Sequence, residues 1–203
     1  MGTNPGSAIE GFPPGIVLAP YTTPVAAGIV GVAQGDLTTA YNTAAALSPT
    51  QVLTGQDLGG MTLLPGVYSF AGGAQLTGAL TLNNLGDPNA LFVFQTVETL
   101  ITASDSSVVM RDGGLGSNVF WKVGSSATLG AGTAFTGHIL ALTSITLNDG
   151  ATILGGSALT RNGAVTLISN TITNSVVPEP ATLTLALFGG ALSLMKRSSR
   201  RGR

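Results

Sequence analysis

The sequence predicts a mainly β fold, a β-solenoid with one α-helix packed alongside it. Short runs of alternating apolar and small or hydroxyl residues, separated by Gly, Asn, Asp and Pro, fill residues 50–174. Several of these runs recur at an interval near twenty residues, which is typical of a stacked repeat fold. One Ala-rich segment before them has the three- and four-residue spacing of a helix.

The helix is expected over about residues 25–47. Pro24 suits its opening position, and Ser48 followed by Pro49 ends it. Glycines within it weaken the helix by about 1 kcal/mol each relative to Ala, so we expect it to depend on close packing against a flat surface. Its apolar positions are Ile29, Val32, Ala33, Leu37, Ala40, Tyr41 and Ala44.

The strands show a two-residue period. Four tetrads, at residues 79–82, 126–129, 144–147 and 164–167, have apolar second and fourth members and small or hydroxyl first and third members. Because alternate residues of a strand point to opposite sides, the former belong in a core and the latter on an exposed face. The last three tetrads recur at 18 and 20 residues, and the second short strand after each brings Phe135, Ile153 and Ile172 to equivalent inward places. The repeat is looser before Ser125.

This alternation defines two candidate faces of small, uncharged side chains. The first and preferred face is formed by Ala79, Thr81, Ser126, Thr128, Ser144, Thr146, Ala164 and Thr166. The rival face, on the next strand of each repeat, is formed by Thr133, Ala134, Thr136, Thr152, Thr171 and Thr173. Thr and Ser are also common on exposed strands without any binding role.

Composition excludes several classes of protein. Only 8% of the residues are charged, and residues 1–177 hold three cations against eight acids, so nucleic-acid binding is not expected. The absence of cysteine removes disulfides, thiolate metal sites and cysteine nucleophiles.

Isolated residues that could carry chemistry favour structural roles. His138 is the sole histidine and has no nearby carboxylate in sequence, so it is a poor general base. Asp105, Asp112 and Asp149 lie in turns and lack the dense repeat of calcium-binding solenoids. Trp121 is expected to pack in the core or under the helix. We therefore predict no metal, no cofactor and no enzymatic activity; a solenoid lyase would need paired carboxylates or basic clusters.

Residues 176–203 are a separate tail. The motif Pro178, Glu179 and Pro180 leads into an apolar segment at 181–195 and a basic end. The apolar segment is shorter than the roughly twenty residues that a spanning helix needs. The basic cluster would hold the chain end on the cytoplasmic side during export.

The chain resembles the microbial ice-binding proteins. The resemblance is carried, in family order, by segments such as GSAIEGFPPG, GDLTTAYNTAA, DLGGMTLLPGVYSF, LTGALTLNNLGDPNALFVFQ and NVFWKVGSSATLGAGTAFTGHILALTSITLNDG, and covers nearly all of residues 6–173. It implies an irregular, right-handed, three-sided β-solenoid with one long helix alongside, in a domain spanning residues 1–175. Family members have a secretion signal and further strands before this region, so we expect those strands to be missing here and the reading frame to be truncated or mis-started.

The resemblance implies adsorption to ice through one flat face, which inhibits ice growth and recrystallisation outside the cell. The alternative is an extracellular adhesion or polysaccharide-binding module. The tail is similar to a PEP-CTERM sorting signal, which implies transient membrane insertion and cleavage by an exosortase-type enzyme. The expected location is the surface or extracellular polymer of a Gram-negative bacterium, and the expected state is a monomer.

Overall fold

The computed structural model describes residues 16–18 and 28–174. Within these residues, one helix, α1 (Gly28–Ala46), precedes fifteen short strands that form a ten-stranded and a five-stranded sheet. Every paired set of strands is parallel. The chain is therefore mainly β with one helix, as predicted. The predicted tail, 176–203, lies outside the described residues.

The strands pair in three rows, each joined by hydrogen bonds between successive repeats of the chain. Row 1 contains β1 (Gln51–Val52), β3 (Gly66–Phe70), β6 (Phe92–Thr96), β9 (Val119–Val123) and the second halves of β11 (Ala134–Ala141) and β13 (Thr152–Thr160). Row 2 contains β4 (Ala74–Leu76), β7 (Leu100–Thr102), β10 (Ala127–Leu129), β12 (Ile145–Leu147) and β14 (Val165–Leu167). Row 3 contains β2 (Thr62–Leu63), β5 (Ala79–Asn83), β8 (Ser107–Arg111), the first halves of β11 and β13, and β15 (Thr171–Thr173).

Two long strands, β11 and β13, belong to both row 1 and row 3 because each bends in the middle. The pairing of β11 with β13 shifts between Thr136 and His138, and Gly137 between them has φ +104, a conformation that favours glycine. These bends merge rows 1 and 3 into the ten-stranded sheet, while row 2 remains a separate sheet.

The core lies between the rows and is built from the apolar half of each alternating strand. Leu80, Leu82, Ala127, Leu129, Ile145 and Leu147, predicted inward from the tetrads, are all buried. Trp121 is fully buried in this core, which is one of the two places expected for it from the sequence. Its ring stacks on Phe94 with centroids 3.8 Å apart, and its Nε1–H donates to the Thr136 carbonyl at 3.1 Å. The aromatic stack follows the stacking of the strands.

Helix α1 packs on the outside of row 1. Leu37 and Tyr41 contact Leu140, and the Tyr41 hydroxyl donates to the Val123 carbonyl at 3.2 Å. The Gln95 amide nitrogen donates to the carbonyl oxygens near the end of the helix, those of Ala44 and Leu47, at 2.6 and 2.8 Å. The predicted helix is present over Gly28–Ala46, and residues 25–27 lie outside the described residues.

The buried stripe of the helix differs from the predicted one. Ile29 and Val32 are 71% and 66% exposed, and the buried residues are Val30, Leu37, Tyr41 and Ala44. No helix in the described part of the chain is long and apolar enough to cross a membrane.

Candidate functional site

Row 1 cannot present a flat face because the helix covers it. The outward residues of β9, Phe120 and Lys122, lie beneath α1, and Lys122 stands 5.1 Å from the centre of the Tyr41 ring. Helix α1 does not cover rows 2 and 3, so their outward residues are the candidates for surface recognition.

Row 3 carries two columns of side chains on its outer side, and each column takes at most one residue from a strand. The first column is Ala79, Ser107, Ala134, Thr152 and Thr171. The second column is interrupted between β8 and β11, which pair only at Ser107 and Ala134. On one side of the break Thr62, Thr81 and Val109 are in register; on the other side Thr136, which is buried, Leu154 and Thr173 are in register. Neither column contains an ionisable group, and all side chains are short or branched. Parallel strands lie about 4.8 Å apart and alternate residues about 6.5–7 Å apart, so the two columns form a two-dimensional grid.

One place on row 3 departs from flatness. The 3₁₀ helix Gly116–Asn118 lies over Thr136, which is buried and whose hydroxyl donates to the Val108 carbonyl at 2.9 Å. Beside it, Val109 and Leu154 stand exposed on either side of Ala134 and Thr136. The result is a shallow groove of about 390 Å³ between β8 and β13.

Row 2 presents a narrower surface. Each of its strands has three residues with one outward residue in the middle, and the single column of outward residues that results is Asp57, Gln75, Ile101, Thr128, Thr146 and Thr166. Ser126, Ser144 and Ala164 flank the last three, and the Ser126 hydroxyl accepts the Ser144 N–H at 3.3 Å. The first half of the column thus carries a carboxylate, a long amide and an isoleucine, and only the second half is a threonine column.

The preferred face predicted from the sequence is divided between two rows. Thr128, Thr146 and Thr166 are adjacent on row 2 as expected. Ala79 and Thr81 are on row 3, where they pair with Ser107 and Val109 of β8. Grouping them with the row 2 threonines was wrong, because β5 pairs with β2 and β8, which are both row 3 strands.

The rival face is largely brought together on row 3, with two exceptions. Ala134, Thr152, Thr171 and Thr173 are outward and accessible, whereas Thr136 and Thr133 are buried. The expectation that Thr133 and Thr136 are exposed was wrong.

Thr133 lies at the corner between rows 2 and 3 and points inward. Its hydroxyl lies 2.9 Å from the Thr102 hydroxyl and 3.2 Å from the Ala103 carbonyl. The Thr102 hydroxyl also accepts the Gly130 N–H at 2.9 Å. This buried hydroxyl pair joins two successive repeats at a corner.

Sequence reasoning missed Thr62, Ser107 and Val109, which complete the row 3 columns. Thr62 precedes the buried Leu63, and Ser107 and Val109 flank the buried Val108, so the same alternation was present. In β8 the outward position of Val109 has no hydroxyl, and β2 has only two residues, so neither strand was matched to the tetrads.

Charged groups lie outside the two columns of row 3, although Arg111 follows Val109 by two residues on the exposed side of β8. The Tyr41 ring has Lys122 on it and the Arg161 guanidinium 4.9 Å from its centre. Burial raises the pKa of the Tyr41 hydroxyl, against the opposing effect of Arg161, and burial lowers the pKa of Lys122. On row 3 itself the nearest cation is Arg111, at the exposed end of β8.

His138 is held in a structural setting. Its Nδ1 lies 2.8 Å from the Ser157 hydroxyl, and its ring stacks on Phe120 with centroids 5.2 Å apart. Burial lowers its pKa, opposed by a hydrogen bond to the backbone of Ser117. Among the described residues no cluster of three or more His, Asp or Glu side chains could hold a metal ion.

Comparison with known families gives a match over most of the chain. Residues 1–173 match a family described as ice-binding-like. An ice-binding protein of Nostoc sp. (strain HG1) is 53% identical over 96% of this chain and 75% of its own length.

Solved structures agree with this match. The ice-binding protein of the Antarctic ascomycete Antarctomyces psychrotrophicus superposes with a TM-score of 0.82 at 39% identity, covering 86% of this chain and 84% of that one. An ice-binding protein from an Antarctic biological consortium gives a TM-score of 0.80 at 44% identity, covering 84% of this chain and 77% of that one.

Proposed function

We propose that this chain, which belongs to the ice-binding-like family, adsorbs to ice through row 3 and so inhibits ice growth and recrystallisation. The observation that carries the choice of face is the pair of columns of short, uncharged side chains along row 3, the first in register from β5 to β15 and the second interrupted between β8 and β11. The proposed ice-binding residues are Thr62, Ala79, Thr81, Ser107, Val109, Ala134, Thr152, Leu154, Thr171 and Thr173.

The chemistry of these side chains suits a ligand that is frozen solvent. Threonine carries a methyl group and a hydroxyl on a β-branched stem with restricted χ1, so both groups are held in place before binding. The methyl groups order the adjacent water, and the hydroxyls anchor it. Since each contact is weak, adsorption requires many contacts that cost little entropy to fix. Long charged side chains would lose more rotamer freedom, and the two columns contain none.

Row 2 is the competing face for the same function. Its support is the in-register column Thr128, Thr146 and Thr166 with flanking small residues. We place it second because it offers one column instead of two, and because Asp57 and Gln75 interrupt its first half. A single column fixes water along one direction only, whereas recognition of a crystal plane needs two.

A matched pair of variants tests the choice of face. Thr152 and Thr146 are both half-buried, outward threonines with a paired strand on each side. In Thr152→Tyr the ring would stand above Ala134 and Thr171, about 4.8 Å away on either side, and hold those strands off the ice. We expect the protein concentration needed to inhibit recrystallisation to rise roughly tenfold or more, or about 1.4 kcal/mol.

Thr146→Tyr is the control and is expected to leave recrystallisation inhibition and thermal hysteresis near those of the parent. Circular dichroism and the melting temperature should change little in either variant, since both sites are on the surface. Full activity of Thr152→Tyr together with loss in Thr146→Tyr would move the site to row 2. A parent protein that leaves ice-grain growth unchanged, while binding extracellular polysaccharide, would replace ice adsorption with the adhesive role.

We also propose the finer features that the sequence suggests. The three rows are the sides of a right-handed, three-sided solenoid, supported by the parallel pairing of successive repeats. The protein acts outside the cell as a monomer, is bacterial, and is sorted by the motif Pro178, Glu179 and Pro180, with transient membrane insertion and cleavage by an exosortase-type enzyme. Support for the sorting step is the order of motif, apolar segment and basic end in the sequence. Mass spectrometry of the protein released by its host tests it, and an intact tail would refute it.

A further inference from the structure

A cavity lies on the outer side of row 1, at the place where α1 ends. The helix ends at Ala46 and is held there by the Gln95 amide nitrogen, which donates to the Ala44 and Leu47 carbonyls. Row 1 continues beyond this point through β3 and β1. The cavity beside the last turn of the helix has a volume of about 390 Å³. That volume is large enough for one small ligand.

Three parts of the fold form this cavity. Its floor is a column of outward side chains that are register partners on four adjacent strands; they are Val52, Ser69, Gln95 and Lys122. Ala45 of α1 forms one wall, and the chain that follows β1, β3 and β6 forms the other, at Thr54, Ala71 and Val97. Among the described residues that line the cavity, Lys122 carries the one ionisable side chain.

The Lys122 ammonium has hydrogen-bonding capacity that the protein does not use. Its Nζ donates to the Thr96 carbonyl at 3.2 Å and lies 5.1 Å from the centre of the Tyr41 ring. Since an ammonium group has three N–H donors, one donor is left for the cavity. No carboxylate in the described part of the chain pairs with Lys122, and burial lowers its pKa. A half-buried cation without a counter-ion favours the binding of an anion.

The lining indicates the chemical class of this anion. One ammonium among neutral groups matches the single negative charge of a carboxylate, whereas a phosphate group carries more charge and favours arginine or several cations. The Ser69 hydroxyl and the side-chain oxygen of Gln95 are neutral partners for hydroxyl groups. Val52 and Val97, which are 63% and 62% exposed, offer apolar surface to the C–H groups of a ring. A carboxylate on a ring that also carries hydroxyl groups is a uronic acid.

We propose that this cavity binds one uronic acid residue of an acidic polysaccharide, with the carboxylate on Lys122 Nζ and the sugar ring over Ser69 and Val52. An acidic peptide has the same carboxylate, but its methylene stem would leave the Ser69 hydroxyl and the Gln95 oxygen without partners. The cavity is on row 1 and the proposed ice-binding residues are on row 3. The protein can therefore hold a polysaccharide and ice at the same time.

Titration of the full chain with D-glucuronate, followed by NMR chemical shifts, tests the ligand class. D-glucose supplies the ring without the charge, and acetate supplies the charge without the ring. We expect glucuronate to bind roughly tenfold more tightly than either, because it makes both the charged and the neutral hydrogen bonds. Equal affinities for glucuronate and acetate would overturn the assignment of a sugar. Tighter binding of tri-glutamate would assign the site to an acidic peptide instead.

A matched pair of variants tests the location of the site. Ala45 and Ala46 are exposed neighbours at the end of α1, and Ala45 lines the cavity whereas Ala46 does not. Ala45→Leu should weaken glucuronate binding roughly tenfold by filling part of the cavity, and Ala46→Leu should leave it unchanged. Both variants keep Lys122 and its contacts. Equal binding by the two variants would refute the location.

A second pair tests the role of the charge. Lys122→Gln should weaken glucuronate binding roughly tenfold, whereas Arg161→Gln, which removes the other cation near the Tyr41 ring, should not. In the parent, bound glucuronate should raise the pKa of Lys122, measured from its Cε resonance, because a carboxylate favours the charged form. Glucose should leave that pKa unchanged. A Lys122 pKa that does not respond to glucuronate would overturn the contact between the carboxylate and Nζ.

Ice recrystallisation assays keep this proposal separate from the proposed function. Lys122→Gln should inhibit recrystallisation as well as the parent does, so a failure of uronate binding would leave ice adsorption through row 3 intact. Loss of recrystallisation inhibition in a folded Lys122→Gln would overturn the independence of the two sites. Circular dichroism and the melting temperature of each variant establish that it is folded.

Discussion

Substitution of Thr133 tests how much the buried hydroxyl pair at the corner between rows 2 and 3 stabilises the fold. Thr133 is fully buried, and its hydroxyl lies 2.9 Å from that of Thr102 and 3.2 Å from the Ala103 carbonyl. Thr133→Val keeps the shape of the side chain and removes both interactions. The Ala103 carbonyl keeps the Ser106 hydroxyl as a donor at 2.8 Å, so the main loss falls on the Thr102 hydroxyl.

The size of the effect follows from this count. The Thr102 hydroxyl still accepts the Gly130 N–H, but its own proton is left without an acceptor, which costs about 1–3 kcal/mol in a buried site. For a domain of this size each 1 kcal/mol lowers the melting temperature by roughly 2–4 °C, so a central value of about 2 kcal/mol lowers it by roughly 4–8 °C. Thr152→Val, which makes the same chemical change on the exposed face, should change the free energy of unfolding by no more than about 0.5 kcal/mol.

Thermal and urea unfolding of both single variants, of Thr102→Val and of the double variant Thr102→Val/Thr133→Val measure the pair. Since the double variant removes both hydroxyls, its cost should be smaller than the sum of the single costs by about 1 kcal/mol. Additive costs, or a Thr133→Val as stable as Thr152→Val, would show that the two hydroxyls do not stabilise the corner together.

Three further predictions concern the rest of the scaffold. Burial lowers the pKa of His138 from its ordinary value of 6.5, so the unfolded chain binds a proton at this site more readily than the folded one. Stability from this site is present above pH 6.5 and declines as the pH falls below it, and the melting temperature of the parent should fall relative to His138→Gln between pH 7 and 5; parallel curves would contradict this. Gly35→Ala should raise the free energy of unfolding by about 1 kcal/mol, because Gly35 lies within α1 and a methyl group there meets no atom within 4 Å; a lower melting temperature would contradict the helical argument. Gly156→Ala should cost more than about 3 kcal/mol, because its methyl group would overlap the backbone carbonyl of Gly137, and a normally stable variant would show that the two repeats can separate there.

Alternation in the sequence was sufficient to identify the strands and most of their inward residues, but not the row to which each strand belongs. Val165 and Ile172, which were predicted to point inward, are 37% and 38% exposed. Residues 79–82 and 144–147 have the same pattern, and both have buried apolar positions. A two-residue period distinguishes the inside of a strand from its outside and carries no information on neighbours. The row depends on where the corners fall, and β5 belongs to row 3 because it follows the row 2 strand β4 after a corner of two residues.

Sequence patterns also could not predict which residues are buried at the corners or which side of the helix is buried. Thr133 follows Gly132, whose φ is +69, so the chain changes direction there and the alternation that governs Ala134 does not extend back to it. In the helix, Gly and Ala contribute so little contrast that the sequence cannot fix the rotation of the buried stripe. Contacts of Leu37 and Tyr41 with row 1 fix it instead.

The regularity of the proposed ice-binding face originates in the interior and not on the face itself. Row 3 can keep one period only if successive repeats stack at the spacing of parallel strands along its length. Close approach at Gly156, where a side chain would meet the backbone of the preceding repeat, permits that spacing at one corner. The Phe94 and Trp121 rings, 3.8 Å apart, fill the core between repeats. A cavity made there, as in Trp121→Ala, should therefore weaken ice adsorption as well as stability, although Trp121 is fully buried. Measuring both at a temperature where the variant is still folded separates this effect from unfolding, and unchanged adsorption by the folded variant would show that the face keeps its period without the core.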